Sequence, residues 1–457
     1  MTRLPPTDYL TWRLQRDPVL QPTIVSVLML DSRPDWNALI EAVDRCTRAV
    51  PELRRQLISS ALPLTAPHWE SDTWFDLSWH VQRASLIPRV DLDAVLEFAR
   101  REAMTPFDPD RPLWRSTLLT SPDDSSGSAL VLKIHHSLTD GISGVRILAR
   151  LCDLERSPDP STIRPAPPVQ ERANLRSSVI GECSQNFRSI QRNCSRSVAA
   201  CLGLAKHPRQ TARDGFELAV SLARLVRPIT STLSPVMVNR GYGRRLAAFE
   251  VPVDALVRAA HANGGTVNDA FLTAVLIGLR RYHLLHGFSV RSLRVTMPIS
   301  LRTPDDPLGG NRISLSRFMM PADRTDPVDV MHRVHELVRC QVRERSIQHS
   351  GAVAAVLSRM PITLIAGILE HVDFVASDVP GSPAPLYLAG ARIERLFAFS
   401  PTLGTALNVT MTSYAGTCFI GVNIDTAAVP DVSALTECLV SGFDAVLGLS
   451  EGRAAES

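Results

Sequence analysis

The sequence predicts an α/β fold of two halves with mixed, largely antiparallel sheets, joined by a helical crossover. Three observations predict it. Strand-like and helix-like segments alternate through residues 1–160. The pattern then breaks: five of the thirteen residues from Ser157 to Val169 are proline, and residues 170–245 turn basic. From residue 246 the alternation resumes and continues toward 457. The expected organisation is a first half at 1–160, a Pro-rich linker with a basic helical crossover at 161–245, and a second half at 246–457.

In the first half, Thr23 to Leu30 is an apolar run of strand length. Trp36 to Val50 has helical periodicity and closes at Pro51, which cannot continue a helix. Asp91 to Met104 is a second amphipathic helix with Leu92, Val95, Leu96 and Ala99 on one face. A turn-rich passage through Pro106 and Pro112-Leu113-Trp114 feeds strands at 116–120 and 129–134. Then Ile142, Val145, Leu148 and Leu151 recur at helical spacing.

In the crossover, Arg188, Arg192 and Arg196 form a basic stripe at i, i+4 spacing, and Leu218, Leu222 and Leu225 mark a second amphipathic helix. The second half opens with a strand at 247–251 and a helix at 254–263, ended by Gly264-Gly265. Thr266-Val267-Asn268-Asp269 caps a long helix to Leu285. A strand at 293–297, a helical region at 327–370, a loop at 377–381, strands at 406–412 and 417–424 and a helix at 431–447 follow. Two α/β halves leave a cleft between them, where ligand sites tend to form.

Composition narrows the function classes. Hydrophobic residues make up 45% and charged residues 21%, as in ordinary globular proteins. The formal net charge of +3 gives no overall nucleic-acid footprint. Residues 1–6 hold no apolar signal core, and no run of 18 apolar residues is uninterrupted. The apolar stretch 352–369 is broken by Ser358, Arg359 and Pro361; it reads as a core helix or as the lining of an apolar channel. Eight cysteines are scattered with no C-x-x-C pair, so reduced thiols and a cytoplasmic location are expected. Gly241-Tyr242-Gly243 fails as a dinucleotide motif because Leu246 stands in the last glycine's place. Residues 170–245 carry thirteen Lys/Arg against four Asp/Glu, a net +9. That segment is either a solvated crossover or a contact with an anionic membrane or lipid-droplet surface.

The chemistry concentrates in His135-His136-Ser137-Leu138-Thr139-Asp140-Gly141, on the turn between a strand and a helix. Histidine exchanges a proton near neutral pH, which suits general-base work on a hydroxyl. Asp140 accepts a hydrogen bond within the site or pairs with an arginine, and Gly141 permits close approach. Rival readings are a buried histidine pair, a metal site and a hydrolase elbow. Adjacent strand residues point to opposite faces, so His135 and His136 do not share an ion, and no metal is expected. Gly141-Ile142-Ser143-Gly144 stops short of G-x-S-x-G at Val145.

The ordered motif set resembles the wax ester synthase/diacylglycerol acyltransferase family, within the HHxxxDG acyltransferases of chloramphenicol-acetyltransferase-like fold. The resemblance covers nearly the whole chain. Its carriers are Pro112-Leu113-Trp114, the His135–Gly141 motif, Asn268-Asp269, Pro298-Ile299-Ser300-Leu301-Arg302, Gly310-Asn311-Arg312-Ile313-Ser314, and Val379-Pro380-Gly381 with Pro385–Gly390. It implies an O-acyltransferase making triacylglycerol from diacylglycerol, or wax ester from a long-chain alcohol, with acyl-CoA as co-substrate, no bound cofactor and no covalent acyl-enzyme. By the resemblance, His136 is the base and His135 packs behind it. Asp140 orients the loop, with Arg302 as its partner, while Asn268 faces the reaction centre or, like Asp269, serves as a helix cap. Other readings kept open are acyl transfer from a carrier-protein thioester and a degenerate lipid-binding protein. Two departures stand out: Ser377-Asp378 replaces the family's usual Ser-Asn, and Arg115 follows Trp114 where an acidic residue is common.

Overall fold

The computed structural model describes residues 2–58, 67–87, 89–122, 127–159, 231–302, 306, 309–343 and 350–450. The arginine stripe, the leucine pattern and most of the basic crossover lie outside these residues. Two six-stranded sheets form the frame. The first orders β12 (Tyr387–Leu388), β13 (Ala391–Phe399), β2 (Thr23–Leu30), β7 (Ser128–His135), β6 (Trp114–Thr120) and β5 (Val81–Ser85). The second orders β10 (Ile313–Pro321), β9 (Ser292–Ser300), β11 (Phe374–Pro380), β14 (Leu407–Tyr414), β15 (Thr417–Asp425) and β8 (Arg244–Pro252). A small sheet of β1 (Thr2–Arg3), β4 (His68–Ser71) and β3 (Arg55–Ile58) stands beside the first. Most pairings are antiparallel, and β5–β6, β11–β14 and β9–β11 are parallel.

The helices follow their capping signals. Asp35, Asp91, Asp140 and Asp431 each accept a backbone N–H in the first turn of the helix they precede. The long helix is Val267–Leu285, and its cap is Thr266, with Asp269 completing a reciprocal capping box. Neither Asn268 nor Asp269 is the cap residue. The Val432–Leu447 helix lies in the described stretch whose length and apolarity would suffice for a membrane span. It is instead half of a packed pair: a Cβ on Gly442 would sit 2.2 Å from the Ala274 carbonyl, so its backbone lies directly on Val267–Leu285.

Three expectations change. The halves are not contiguous in sequence, because β12 and β13, from the second half, complete the first sheet. Without β13, the long edge of β2 would leave a row of backbone groups unpaired. The loop expected at 377–381 is largely strand β11, held in parallel register between β9 and β14. Its Ser-Asp-Val-Pro sequence gives little local strand signal, so pairing on both sides decides its conformation. The apolar stretch 352–369 contains two short helices, Ser350–Leu357 and Ile362–Leu369, split at Pro361. Ile365 and Ala366 pack with Leu14 and Leu20 in a small separate core, so this region does not line the cavity described next.

Candidate active site

The strand alternation of β7 sorts the motif. Leu132, Ile134 and His136 face a cavity of ≈ 140 Å³ between the inner faces of the two sheets. Ile24, Leu28 and Leu396 extend its apolar wall on the first sheet. Pro298, Ile313 and Val379 form the opposite wall, and Ser300, Ser377, Asp378, Thr410 and Thr412 are its polar lining on that side. An apolar channel with one histidine at its edge suits a greasy substrate and a proton transfer.

His135 turns the other way. It is fully buried, and its ring meets Phe107 edge-on at 5.7 Å. Its Nδ1 accepts the Ser137 backbone N–H at 3.1 Å and lies 2.7 Å from Ser137 Oγ. Accepting through Nδ1 puts the proton on Nε2, which has no partner among the described residues. Burial, with the neighbouring His136, pushes its pKa down to about 3. Beside it Lys133, also buried, donates to the Thr105 carbonyl at 2.7 Å and sits over the Phe107 ring; burial brings its pKa down to about 8. His135 and Lys133 therefore hold the strand against the first half's core and do not reach substrate space.

His136 is half-buried, and its ring lines the cavity. Its backbone N–H donates to the Pro22 carbonyl at 2.8 Å, and that of His135 to the Leu113 carbonyl at 2.9 Å. The Pro112-Leu113-Trp114 motif thus anchors the turn; Trp114 in turn donates to Leu53 O at 2.7 Å and stacks on His80. The side-chain amide of Asn311 lies 3.2 Å from His136 Nδ1. With Asn311 standing at Nδ1, Nε2 is the ring nitrogen left to face substrate. Burial lowers the pKa of His136, opposed by a hydrogen bond to its own carbonyl and by the charge of Asp140. Its neutral, basic form is therefore the resident one at neutral pH.

Asp140 is walled off from chemistry by its partners. Oδ1 accepts the Ser143 N–H at 2.8 Å, and Oδ2 accepts that of Arg312 at 2.9 Å. Arg302 Nε donates to both oxygens, at 3.0 and 2.8 Å, with each side chain 1% exposed. Arg302 also donates through Nη2 to the carbonyls of Gly309 and Gly310, at 2.8 and 2.6 Å. Gly310 N–H returns to Leu138 O at 2.7 Å, and Gly309 N–H donates to Ser143 Oγ at 2.8 Å. Both glycines have positive φ, of 84° and 69°. The motif loop of the first half is thereby fastened to the 302–312 loop of the second. Gly141 is small for the same reason: a Cβ there would meet Val379 Cγ2 at 2.8 Å, so its lack of a side chain admits β11 where the loop lines the cavity.

The other expected residues fall elsewhere. Asp269 Oδ2 accepts from Thr266 N and Oγ1, both at 2.8 Å, and lies 2.7 Å from His335 Nδ1, which makes it a helix-end anchor. Asn268 has its amide nitrogen 4.0 Å from Met297 Sδ and does not line the cavity. Three residues not singled out for a role from the sequence do belong here. Asp378 lines the cavity from an exposed position on β11, and the desolvation of its carboxyl there pushes its pKa up to about 6. Asp8, on the Pro6–Leu14 helix, is buried and accepts the Asn311 N–H at 3.1 Å; burial pushes it up to about 8. Asn311 touches His136. Its place in Gly310-Asn311-Arg312 and the Ser-Asn departure at Asp378 were visible signals, whereas nothing in the sequence marked Asp8.

Comparison with known proteins decides the family. The model of the wax ester synthase/diacylglycerol acyltransferase catalytic domain matches residues 15–271, and the WS/DGAT C-terminal domain matches 309–446. The chain belongs to the wax ester synthase/diacylglycerol acyltransferase family. It is an O-acyltransferase of the neutral-lipid-forming kind. A Mycobacterium tuberculosis protein named "Putative diacyglycerol O-acyltransferase" is 32% identical over 464 residues, covering 99% of this chain and 93% of that one. The wax ester synthase/diacylglycerol acyltransferase of Marinobacter aquaeolei VT8 superposes with a TM-score of 0.63 at 21% identity, covering 98% of this chain and 100% of that one. The first condensation domain of the calcium-dependent antibiotic synthetase gives the same TM-score at 17% identity, over 98% of this chain and 96% of that one. These structural likenesses establish the shared fold. Within it, the His135–Gly141 motif, Arg302 and Gly310-Asn311-Arg312 of this chain meet at one loop junction beside one cavity, whereas Asn268 and Asp269 stand apart from it.

Proposed function

We propose that this acyltransferase joins a long-chain acyl group from acyl-CoA to the hydroxyl of diacylglycerol or a fatty alcohol, with His136 as the general base. The observation that carries the reading is the position of His136: it is the histidine of the motif that lines the apolar cavity, where Nε2 is the acceptor when the ring proton is on Nδ1. Nε2 takes the hydroxyl proton as the alcohol oxygen bonds to the thioester carbonyl carbon. The tetrahedral intermediate then collapses, the C–S bond breaks, and the departing thiolate takes the proton back from Nε2. Ester and free thiol are the products, and the histidine ends as it began. The thioester is already activated, so the reading has no covalent acyl-enzyme. Alignment of both substrates in the shielded cavity supplies much of the acceleration.

The test is an acceptor panel of diacylglycerol and long-chain alcohols with palmitoyl-CoA, scored by lipid products, with the wild type beside His136→Ala. Loss of product with every acceptor in the variant is the expected result. Free-thiol release and ester formation at the wild-type rate would rule out His136 as base.

A further inference from the structure

We infer that Thr412 is a catalytic residue of this acyltransferase, donating its hydroxyl hydrogen to the thioester carbonyl oxygen as negative charge gathers there. The inference rests on the reading of His136 given above, which leaves that charge without a named partner. Asn268, the amide expected at the reaction centre, is not on the cavity wall.

Strand register places the threonine. Val409 and Met411 of β14 belong to the core that the second sheet shares with its helices, so Thr410 and Thr412, which alternate with them, point the opposite way, toward the first sheet. Both strand neighbours of Thr412 face the same way. Val379 pairs with it on β11, and is the side chain that a Cβ on Gly141 would meet. Phe419 pairs with it on β15 and packs edge-on against Phe397 of β13 at 5.2 Å. Opposite Thr410, Gly421 brings the two sheets into direct contact: a Cβ there would sit 2.3 Å from the Ala398 carbonyl oxygen. Close contacts between the sheets therefore bound the cavity on both sides of β14. Neighbouring strands lie about 4.8 Å apart, so Thr412 is one strand spacing from the residue that touches the motif loop. Thr412 and His136 line that space from opposite sheets.

The residue type is at odds with its surroundings. Thr412 is 2% exposed, between a valine and a phenylalanine, and its Oγ1 has no hydrogen-bond partner among the described residues. Valine has the same branched shape and would fill the place without burying a hydroxyl, so the threonine costs stability with no structural gain. The other polar groups on that wall are committed or of the wrong kind. Ser300 accepts the Arg302 N–H at 3.2 Å, Thr410 donates to Asn408 Oδ1 at 3.2 Å, and Asp378, once ionised, repels an oxyanion. Ser377 lies two residues back from Val379 along β11, farther from the motif loop.

As the alcohol oxygen bonds to the carbonyl carbon and its proton passes to His136, the carbonyl oxygen becomes negative and Thr412 Oγ1–H donates to it. When the C–S bond breaks and the C=O bond re-forms, that hydrogen bond weakens. The threonine keeps its proton throughout. A donor fixed in a narrow, water-poor space stabilises the charge that develops in the transition state more than the neutral carbonyl of the ground state.

The experiment measures kcat, the KM for palmitoyl-CoA and the melting temperature of the full-length wild type, Thr412→Val, Thr412→Ser and His136→Ala, with a long-chain alcohol as acceptor. It adds inhibition by S-hexadecyl-CoA, a thioether with the chain but no carbonyl. In Thr412→Val, kcat should fall by about 10²- to 10³-fold, while inhibition by the thioether is unchanged and the melting temperature is equal or higher. Thr412→Ser keeps the donor and should bring kcat back to within roughly tenfold of wild type. A merely structural threonine would show the reverse: a lower melting temperature in Thr412→Val with little change in kcat. Thr412→Val turning over at the wild-type kcat, or Thr412→Ser as slow as Thr412→Val, overturns the donor role; with His136→Ala inactive, the base assignment still stands. An active His136→Ala overturns both.

Discussion

The two faces of β7 carry neighbouring residues of one motif into different jobs. On the inner face, Leu132, Ile134 and His136 line the cavity, and the histidine there has a free nitrogen beside substrate space. On the outer face, Lys133 and His135 are buried against Phe107 and the end of the Leu92–Met104 helix, with pKa values pushed down by burial. Both faces hold ionisable groups and both perturb them. The difference is access: a perturbed group that opens on a cavity is available for chemistry, and one sealed by aromatic packing is architecture.

The largest effect that could break this comparison is on the inner face. His136→Ala should lower kcat/KM by about 10²- to 10⁴-fold, the usual contribution of a positioned base, with an almost unchanged melting temperature. Next comes the junction that both faces depend on. Arg302→Met leaves the Asp140 carboxylate buried without its cation, which should destabilise the fold by about 3–5 kcal/mol in denaturant unfolding. An equally stable variant would mean that the pair does not hold the loop.

On the outer face, His135→Leu removes the acceptor of the Ser137 N–H and should cost about 1–3 kcal/mol of stability while keeping most of the activity. The same histidine sets a pH dependence. Its folded pKa of about 3 lies below the unfolded value of about 6.5. Between those values the unfolded chain binds more protons, so its contribution is complete above about pH 6.5 and is lost as the pH falls toward 3. Urea midpoints across that window should decline less steeply in His135→Leu than in the wild type.

The smallest effect sharpens the inner face. Asp378 has a pKa raised to about 6, so it ionises within the working range and sets a charge beside an apolar channel. Asp378→Asn should raise activity above pH 6 by roughly two- to threefold and leave it unchanged below, since about half a kcal/mol of unfavourable charge near the acyl chain disappears. An identical pH profile in the two proteins would mean that Asp378 does not face the substrate.

Local signals made part of this legible. The alternation of β2 and β7, the aspartate caps and the opposed faces of His135 and His136 all follow from residues close in sequence. The Asp140–Arg302 contact, across 162 residues of sequence, was legible only by resemblance. What the sequence did not reveal depends on long-range closure. β11 lacks a strand-like sequence and is made a strand by neighbours on both sides. β13 belongs to the second half by chain order and to the first by hydrogen bonding. Asn268, expected from its motif to face the reaction centre or to cap the helix, does neither: Thr266 is the cap and the amide of Asn268 lies by Met297. Asn311 and Asp8 meet at the site from positions 303 residues apart, and no local pattern announces that.

The central claim is that access to the cavity, not membership in the motif, separates the two histidines. Paired measurement of kcat/KM and denaturant midpoint for His136→Gln and His135→Gln tests it most directly. Opposite outcomes are expected: His136→Gln loses at least a hundredfold in kcat/KM with its midpoint nearly intact, whereas His135→Gln loses stability and keeps kcat/KM within roughly tenfold. Equal losses of activity in two equally stable variants would contradict it.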